Sequence, residues 1–222
     1  MEKPDVKDAD KIVQRLLQKL LTRIRDKGEP GVTARFNIGW VMANSSFLLA
    51  TDKIGYSLDT CFDLVRQAAA TMADMEAVRQ SLAAELPKTL GGTIVRDRSI
   101  LLALAQTAKI ISGMTFVSRS DVEALIYSIQ APFNSAEEMA ADTMDGFDYQ
   151  AIVRLRSAIV NHLVSTSRPL PSMLVYQFTS SLSSLVISYR LYADARRYDE
   201  IRKENKVVHP AFCRSSGRAL SQ

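Results

Sequence analysis

Residues 58–86, LDTCFDLVRQAAATMADMEAVRQSLAAEL, carry the clearest hydrophobic period in the chain. Leu58, Cys61, Val65, Ala68, Met72, Met75, Arg79, Leu82 and Leu86 step alternately by three and four, and only Arg79 interrupts the apolar series. A 3-4 alternation over four heptads keeps one stripe of a helix turned toward a partner. The stretch therefore predicts a long heptad-patterned helix that stops at Pro87. Ala and Met at seam positions bury little area and specify register weakly, so the helix reads as a member of a bundle before it reads as an autonomous coiled coil.

Working outward, the flanks continue in helical phase. Ile12, Val13, Leu16, Leu17, Leu20, Leu21 and Ile24 form an apolar stripe with Lys11, Gln14, Arg15, Lys19 and Arg23 off it, and Gly28-Glu29-Pro30-Gly31 ends that helix. Phe36 to Ala50, with the single Trp40, reads as a short buried helix. Beyond the Gly91-Gly92 break, Ile100, Leu101, Leu104, Ala105, Ala108 and Ile111 form a further stripe closed by Gly113. Ser120 with Glu123, and Ser135 with Glu138, have capping-box spacing and predict two helix starts, the second opening a short acidic helix. Tyr149, Ile152, Val153, Leu155, Ile159 and Leu163 mark a helix to about Ser165. Arg168-Pro169-Leu170-Pro171 is a hinge, because each proline disfavours helical geometry in the residue before it. Met173 to Phe178 alternates as a short strand, and Leu182, Leu185, Val186, Tyr189 and Tyr192 resume helical phase.

The fold class expected is mainly α: a multi-helix bundle with at most a minor β element near the C-terminus. Three regions are expected, a helical region at 1–94, a central helical region at 95–167 and a C-terminal helix with a basic tail at 168–222, or one continuous domain in their place.

With 222 residues, 47% hydrophobic, 23% charged, 9 Gly and 7 Pro, the composition excludes collagen-like, disulfide-stapled and wholly disordered classes. Cys61 and Cys213 lie far apart, and reduced thiols and intracellular synthesis are expected. The first residues lack the apolar stretch of a signal peptide. The uncharged runs 36–51 and 169–189 do not qualify as membrane spans, the first being too short and the second too rich in Ser and Pro.

Catalytic chemistry is not visible. His162 and His209 have no cysteine or carboxylate at metal-ligand spacing, and His162 reads as a hydrogen-bonded structural imidazole. Gly91-Gly92 lacks the Lys-Ser or Lys-Thr of a phosphate loop. Asp142, Asp145 and Asp148 lack the ligand order of a calcium loop. No catalytic, metal or cofactor residues are assigned, and no enzyme activity is expected.

The unusual segment is the last one. From Arg190 onward there are eight basic and four acidic residues, so the chain's net charge of +4 resides in that tail. Interleaved acids make it resemble a solvated or interface surface more than a nucleic-acid arm. Tyr192, Ile201, His209, Pro210 and Phe212 are expected to form an apolar docking element, with Arg190, Arg196 and Arg197 orienting a partner. Asn205 is expected to end the preceding helix in the left-handed conformation.

At these residues the sequence resembles the C-terminal region of the DNA circularisation protein N family of Mu-like phages and prophages. The resemblance is carried by Arg168-Pro169-Leu170-Pro171, Arg190-Leu191-Tyr192 with Asp194, Asp199-Glu200-Ile201, Asn205, His209-Pro210-Ala211-Phe212 and Gly217-Arg218-Ala219-Leu220-Ser221. Thr115 to Asp121 and Leu155 to Val160 match more weakly. The family's N-terminal domain has no counterpart here, and Ala193 stands where a glycine is expected. The resemblance implies a structural tail or baseplate component in the host bacterial cytoplasm during assembly and then in the virion tail. It also implies other tail proteins and copies of the chain as partners. A nucleic-acid-binding module using the basic end is the alternative, with DNA as its partner.

Overall fold

The computed structural model describes residues 3–143 and 146–221. Among these are α1 (Lys3–Leu21), α2 (Glu29–Ala50), α3 (Ile54–Gln67), α4 (Met72–Ala83), α5 (Leu90–Ser112), α6 (Arg119–Asp142), α7 (Gly146–Ser167), α8 (Ser184–Tyr192) and α9 (Tyr198–Glu204). Two short strands, β1 (Met173–Gln177) and β2 (Ser216–Leu220), make one antiparallel sheet. The protein is mainly α with a minor β element near the C-terminus, as the periodicity indicates. No described helix is long and apolar enough to cross a membrane.

The chain divides into a larger unit, residues 1–114 and 129–159, and a smaller unit, residues 115–128 and 160–222. α6 and α7 each contribute residues to both. The expected boundary at 94/95 falls inside α5, whereas that at 167/168 coincides with the end of α7.

In the larger unit α1 packs against α2, α3, α4 and α5. Its Ile12, Val13, Leu16, Leu17 and Leu20 are all buried, a stripe broad enough to face several helices at once. Asp8, near its start, draws α5 in: the carboxylate accepts from the Lys88 amide (2.7 Å), the Thr89 amide (3.0 Å) and the Thr89 hydroxyl (3.2 Å). It thereby supplies partners to the residues opening α5, whose first amides have none within the helix. Gly91-Gly92 belongs to the first turn of α5 and is not a break. A Cβ on Gly92 would lie 2.5 Å from an Asp8 carboxylate oxygen, so a side chain there would push that carboxylate away from its partners at the start of α5.

The long heptad-patterned helix does not form. Residues 58–86 divide into α3 and α4, with Ala69 in the left-handed region at φ 65 between them. Thr71 and Asp74 form a reciprocal capping box that starts α4 afresh. Asp74 also pairs with Arg25 (3.0 Å) and Arg23 (3.6 Å), anchoring the new helix start to the segment that follows α1. An alanine-rich seam offers too little area to hold the helix straight against these polar contacts. Leu58, Cys61 and Val65 on α3, Ala68 in the turn after it, and Met75 and Leu82 on α4 are nevertheless buried.

α2 is longer than the expected 36–50 helix. Pro30 sits in its first turn, where a fixed φ suits a helix start and a missing N–H costs nothing. Only one side of it is buried, through Ala34, Ile38, Val41, Ser45, Leu48 and Leu49. Gln14 donates to the Met42 carbonyl (2.7 Å) and to the Ser45 hydroxyl (2.8 Å), which in turn donates to Asp10. This polar seam fixes the register of α2 on α1.

α6 is continuous through Ser135 and Glu138 with Pro132 inside it, so the expected acidic helix is its second half. Its start is capped by Ser118 with Asp121, two residues before the expected pair.

Asp8, Asp63, Asp74 and Glu76 are carboxylates of the larger unit held below their ordinary values, and Asp63 and Asp74 show how this links the unit to pH. Burial opposes the charge on Asp63, but hydrogen bonds from Lys109, Arg66 and Gln67 outweigh it and hold the carboxyl at about 2, against an ordinary 3.8. Asp74 is likewise held low, its desolvation overcome by Thr71 and Arg25. Both folded-state values lie below the unfolded ones. The stabilisation is therefore complete above about pH 4 and drains away as pH falls through the folded values, for Asp63 toward about 2. Urea denaturation from pH 6 down to 2 should show stability falling below pH 4, and Asp74→Asn should lower the pH 6 value while flattening the acid limb.

Candidate docking surface of the smaller unit

The final fifty residues are a folded unit rather than a tail on a helix. β1 and β2 pair antiparallel with Met173 opposite Leu220 and Gln177 opposite Ser216, so the end of the chain returns to the strand after the proline hinge. α8 and α9 lie between the strands in sequence. Tyr176, Ile187, Tyr192, Ile201, Cys213 and Ala219 form the core, with Phe178, Leu182, Leu191 and Val207 packed on it.

Local chemistry explains the turns. The Ser183 hydroxyl accepts from the Val186 amide and caps α8. α8 ends at Ala193, which is left-handed at φ 56. The Ser188 hydroxyl bonds the Asp194 carbonyl, and the Asp194 carboxylate accepts from the Arg196 amide to shape the 3-10 turn Ala195–Arg197. Asn205 does not take the left-handed conformation; Lys206 does, at φ 52. Asn205 instead bridges two elements, donating to the Ile201 and Arg218 carbonyls (both 2.8 Å) and accepting from the Arg218 amide (2.7 Å). A Cβ on Gly217 would fall 2.2 Å from the Asn205 side-chain oxygen and 2.4 Å from the Tyr176 hydroxyl, so β2 needs glycine there.

The nine expected interface residues separate into two groups. Ile201 is fully buried and Tyr192 is 7% exposed, so both serve the unit's own core and cannot present a docking surface. The Tyr192 hydroxyl donates to Glu200 (3.0 Å), and burial together with that carboxylate pushes it up to about 12. Arg197 stacks 3.7 Å from the Tyr192 ring centroid and pairs with Glu200 at 2.8 Å. Arg197 and Asn205 thus have internal partners. Helical spacing places Tyr192 in an apolar phase, but neither it nor the apolar character of Ile201 reveals that β2 comes back to cover them.

Arg190, Arg196, His209 and Phe212 are exposed, and Pro210 is half-buried. The Pro210 carbonyl accepts from the Ser184 amide (2.8 Å), and the Cys213 amide donates to the Leu182 carbonyl (3.0 Å). These bonds hold the 209–213 loop against the start of α8. Phe212, 74% exposed, stacks with His209 at 5.5 Å between centroids. Leu185, Val186 and Tyr189 present an exposed apolar face on α8, and Leu174 and Val175 are exposed on β1. Arg190 lies over the Phe178 ring. The α8 and β1 residues were missed as surface candidates; the visible signal was two adjacent apolar residues in each, where amphipathic burial of a short element needs only one face.

A second feature is polar. Arg119, Arg168 and Arg197 line an open depression of about 520 Å³ with Pro169, Leu170, Pro171, Ser172 and Ser221, and no carboxylate side chain is among the lining residues. Arg197 is already committed to Glu200 and the Tyr192 ring, so Arg119 and Arg168 are the cations this hollow offers an oxyanion.

Elsewhere, Cys61 and Cys213 are buried free thiols, and burial pushes Cys61 up to about 12. His162 is exposed on α7 and its ring makes no described hydrogen bond, so it is not the structural imidazole expected. Asp148 pairs with Arg98, and Asp145 lies outside the described residues. Among the described residues, no group of three or more His, Cys, Asp and Glu is placed to hold a metal ion. Compared with known proteins, the chain matches no family model and no curated sequence.

A left-handed alanine at the end of α8 carries a steric cost that glycine would not. Ala193→Gly should raise the stability of the smaller unit by about 1 kcal/mol in urea denaturation, with unchanged helical circular dichroism.

Proposed function

We propose that the chain is a non-enzymatic structural protein of a phage or prophage tail, at the baseplate, working through contacts with other tail proteins and with copies of itself. The observation that supports a protein-contact role is the exposed apolar surface of the smaller unit: Phe212 on a loop hydrogen-bonded to Leu182 and Ser184, together with Leu185 and Tyr189 exposed on α8. An aromatic side chain fixed in place loses little entropy on binding, which favours it as an anchor. Arg190 and Arg196 lie on the same stretch of chain and supply the charge that orients an approaching partner. The tail attribution rests on the resemblance of residues 168–222, and it carries with it the bacterial cytoplasm during assembly and the virion thereafter. In a ring, individually weak contacts are strengthened because each subunit is held at high effective concentration beside the next.

The experiment is capture of the purified chain by the other tail proteins encoded beside it. Phe212→Ala should retain native circular dichroism and lose at least tenfold in partner affinity, whereas Tyr192→Ala should unfold the smaller unit. Undiminished capture by Phe212→Ala would remove the docking role.

The arginine-lined depression supports the second reading, a nucleic-acid-binding module. Phosphate contacts release counterions, so binding of this kind weakens steeply with salt. Under the tail-assembly reading, DNA at low salt should not shift in a gel. A shift abolished by added salt and by the double variant Arg119→Gln, Arg168→Gln would replace it with the nucleic-acid reading.

A further inference from the structure

α2 carries no charged residue from Phe36 through its end at Ala50, and it is apolar on both sides. A helix of that kind is normally covered all round. Here one side is packed in the larger unit, while Phe36 (76%), Trp40 (51%) and Phe47 (64%) stand exposed on the other, with Val32, Gly39, Ala43 and Ala50 also open to solvent.

The exposed stripe has a seam's spacing. Phe36, Trp40, Ala43, Phe47 and Ala50 step by four, three, four and three, the repeat that lets two helices pair along their length. Sizes along it are arranged for one particular partner. Two copies laid antiparallel about a two-fold axis at Ala43 set Ala43 against Ala43, Phe36 against Ala50, and Trp40 at the level of Phe47. Each flanking bulky ring then meets a methyl group, the central small residues let the backbones approach, and the two remaining aromatics lie side by side. A parallel pair would instead set Phe36 against Phe36 and Trp40 against Trp40.

Charge at the ends agrees with the antiparallel arrangement. In it, the start of α2, with Glu29 and Arg35, faces the end of the partner's α2, which Asp52 and Lys53 follow directly, so each end has a charge of opposite sign near it. In a parallel pair like would meet like. The area is sufficient as well. Taking roughly 200 Å² for a whole aromatic side chain, the three rings expose about 380 Å² per copy, and pairing removes about 750 Å² from water. Val32, Gly39, Ala43 and Ala50 bring the total to the order of 1,000 Å² that a specific interface needs.

We infer that the exposed face of α2 is a self-association surface on which a second copy of the chain docks antiparallel, with Ala43 at the two-fold axis. The inference stands on α2 alone and survives whether or not the smaller unit docks tail proteins.

The test uses the full chain. Light scattering of the wild type over a concentration series should show a dimer mass, and Phe36→Glu and Phe47→Ser should each weaken dimerisation at least tenfold with circular dichroism unchanged. Orientation is read by oxidative cross-linking, for which the two native thiols are silent because they are buried. Ala43→Cys should form a disulfide-linked dimer, and Ala50→Cys should not, since antiparallel pairing holds its two copies about 20 Å apart. A wild type that stays monomeric at 100 μM, association unaffected by both α2 surface variants, or cross-linking of Ala50→Cys as readily as Ala43→Cys would each overturn the inference.

Discussion

The larger unit depends on burying the apolar stripe of α1. That stripe is wider than one neighbour can cover, and α2, α3, α4 and α5 share it. Each helix that joins must bring its own apolar side, and polar contacts at the ends decide where it sits: Asp8 under the start of α5, Asp74 at the start of α4, and Gln14 with Ser45 between α1 and α2. Hydrophobic burial supplies the driving force without direction, and these hydrogen bonds supply position. α2 is the exception in supply, because it brings more apolar surface than α1 and its neighbours can use. The excess has become a solvent-facing aromatic stripe.

The smaller unit solves a harder problem with fewer residues. Beyond the parts of α6 and α7 that it includes, its two short helices and two five-residue strands cannot bury much, so their connections are hydrogen-bonded in detail. Asn205 clamps the end of α9 to β2, Gly217 lets β2 lie against Tyr176, and the stack of Arg197 on Tyr192 closes the side. Once Tyr192 and Ile201 are committed to that core, the apolar residues left for a partner include those of α8, β1 and the 209–213 loop. The basic residues follow the same division: Arg197 is used internally, while Arg190 and Arg196 remain on the surface.

Where apolar spacing alone determines the outcome, the sequence was legible. The α1 stripe, the α5 stripe, α7, the proline hinge and β1 all follow from period and punctuation. Residues 58–86 were misread because the heptad pattern is real on both helices, and nothing in the period marks the break at Ala69. The competing signal was Thr71 with Asp74, a capping spacing inside an apparent helix. The start of α6 was displaced for a similar reason, since Ser118 with Asp121 and Ser120 with Glu123 satisfy one rule in two registers. Half of the candidate site was legible. Composition identifies Phe212 and His209 as unusual in an end segment, but burial of Tyr192 and Ile201 depends on a strand pairing between residues nearly fifty apart, which no local pattern encodes.

Both surfaces ascribed to contact are apolar and exposed, and the α2 stripe carries the chain's only tryptophan, which makes it directly observable. The most direct measurement is the emission of Trp40 as the chain is concentrated from 0.1 to 100 μM. Docking of a second copy moves the indole out of water, so the spectrum should shift to the blue along a saturable curve, and Phe36→Glu should shift that curve to higher concentration. An emission maximum that stays at its dilute, solvent-exposed position across the whole range would contradict the assignment of this face as a protein-contact surface between copies.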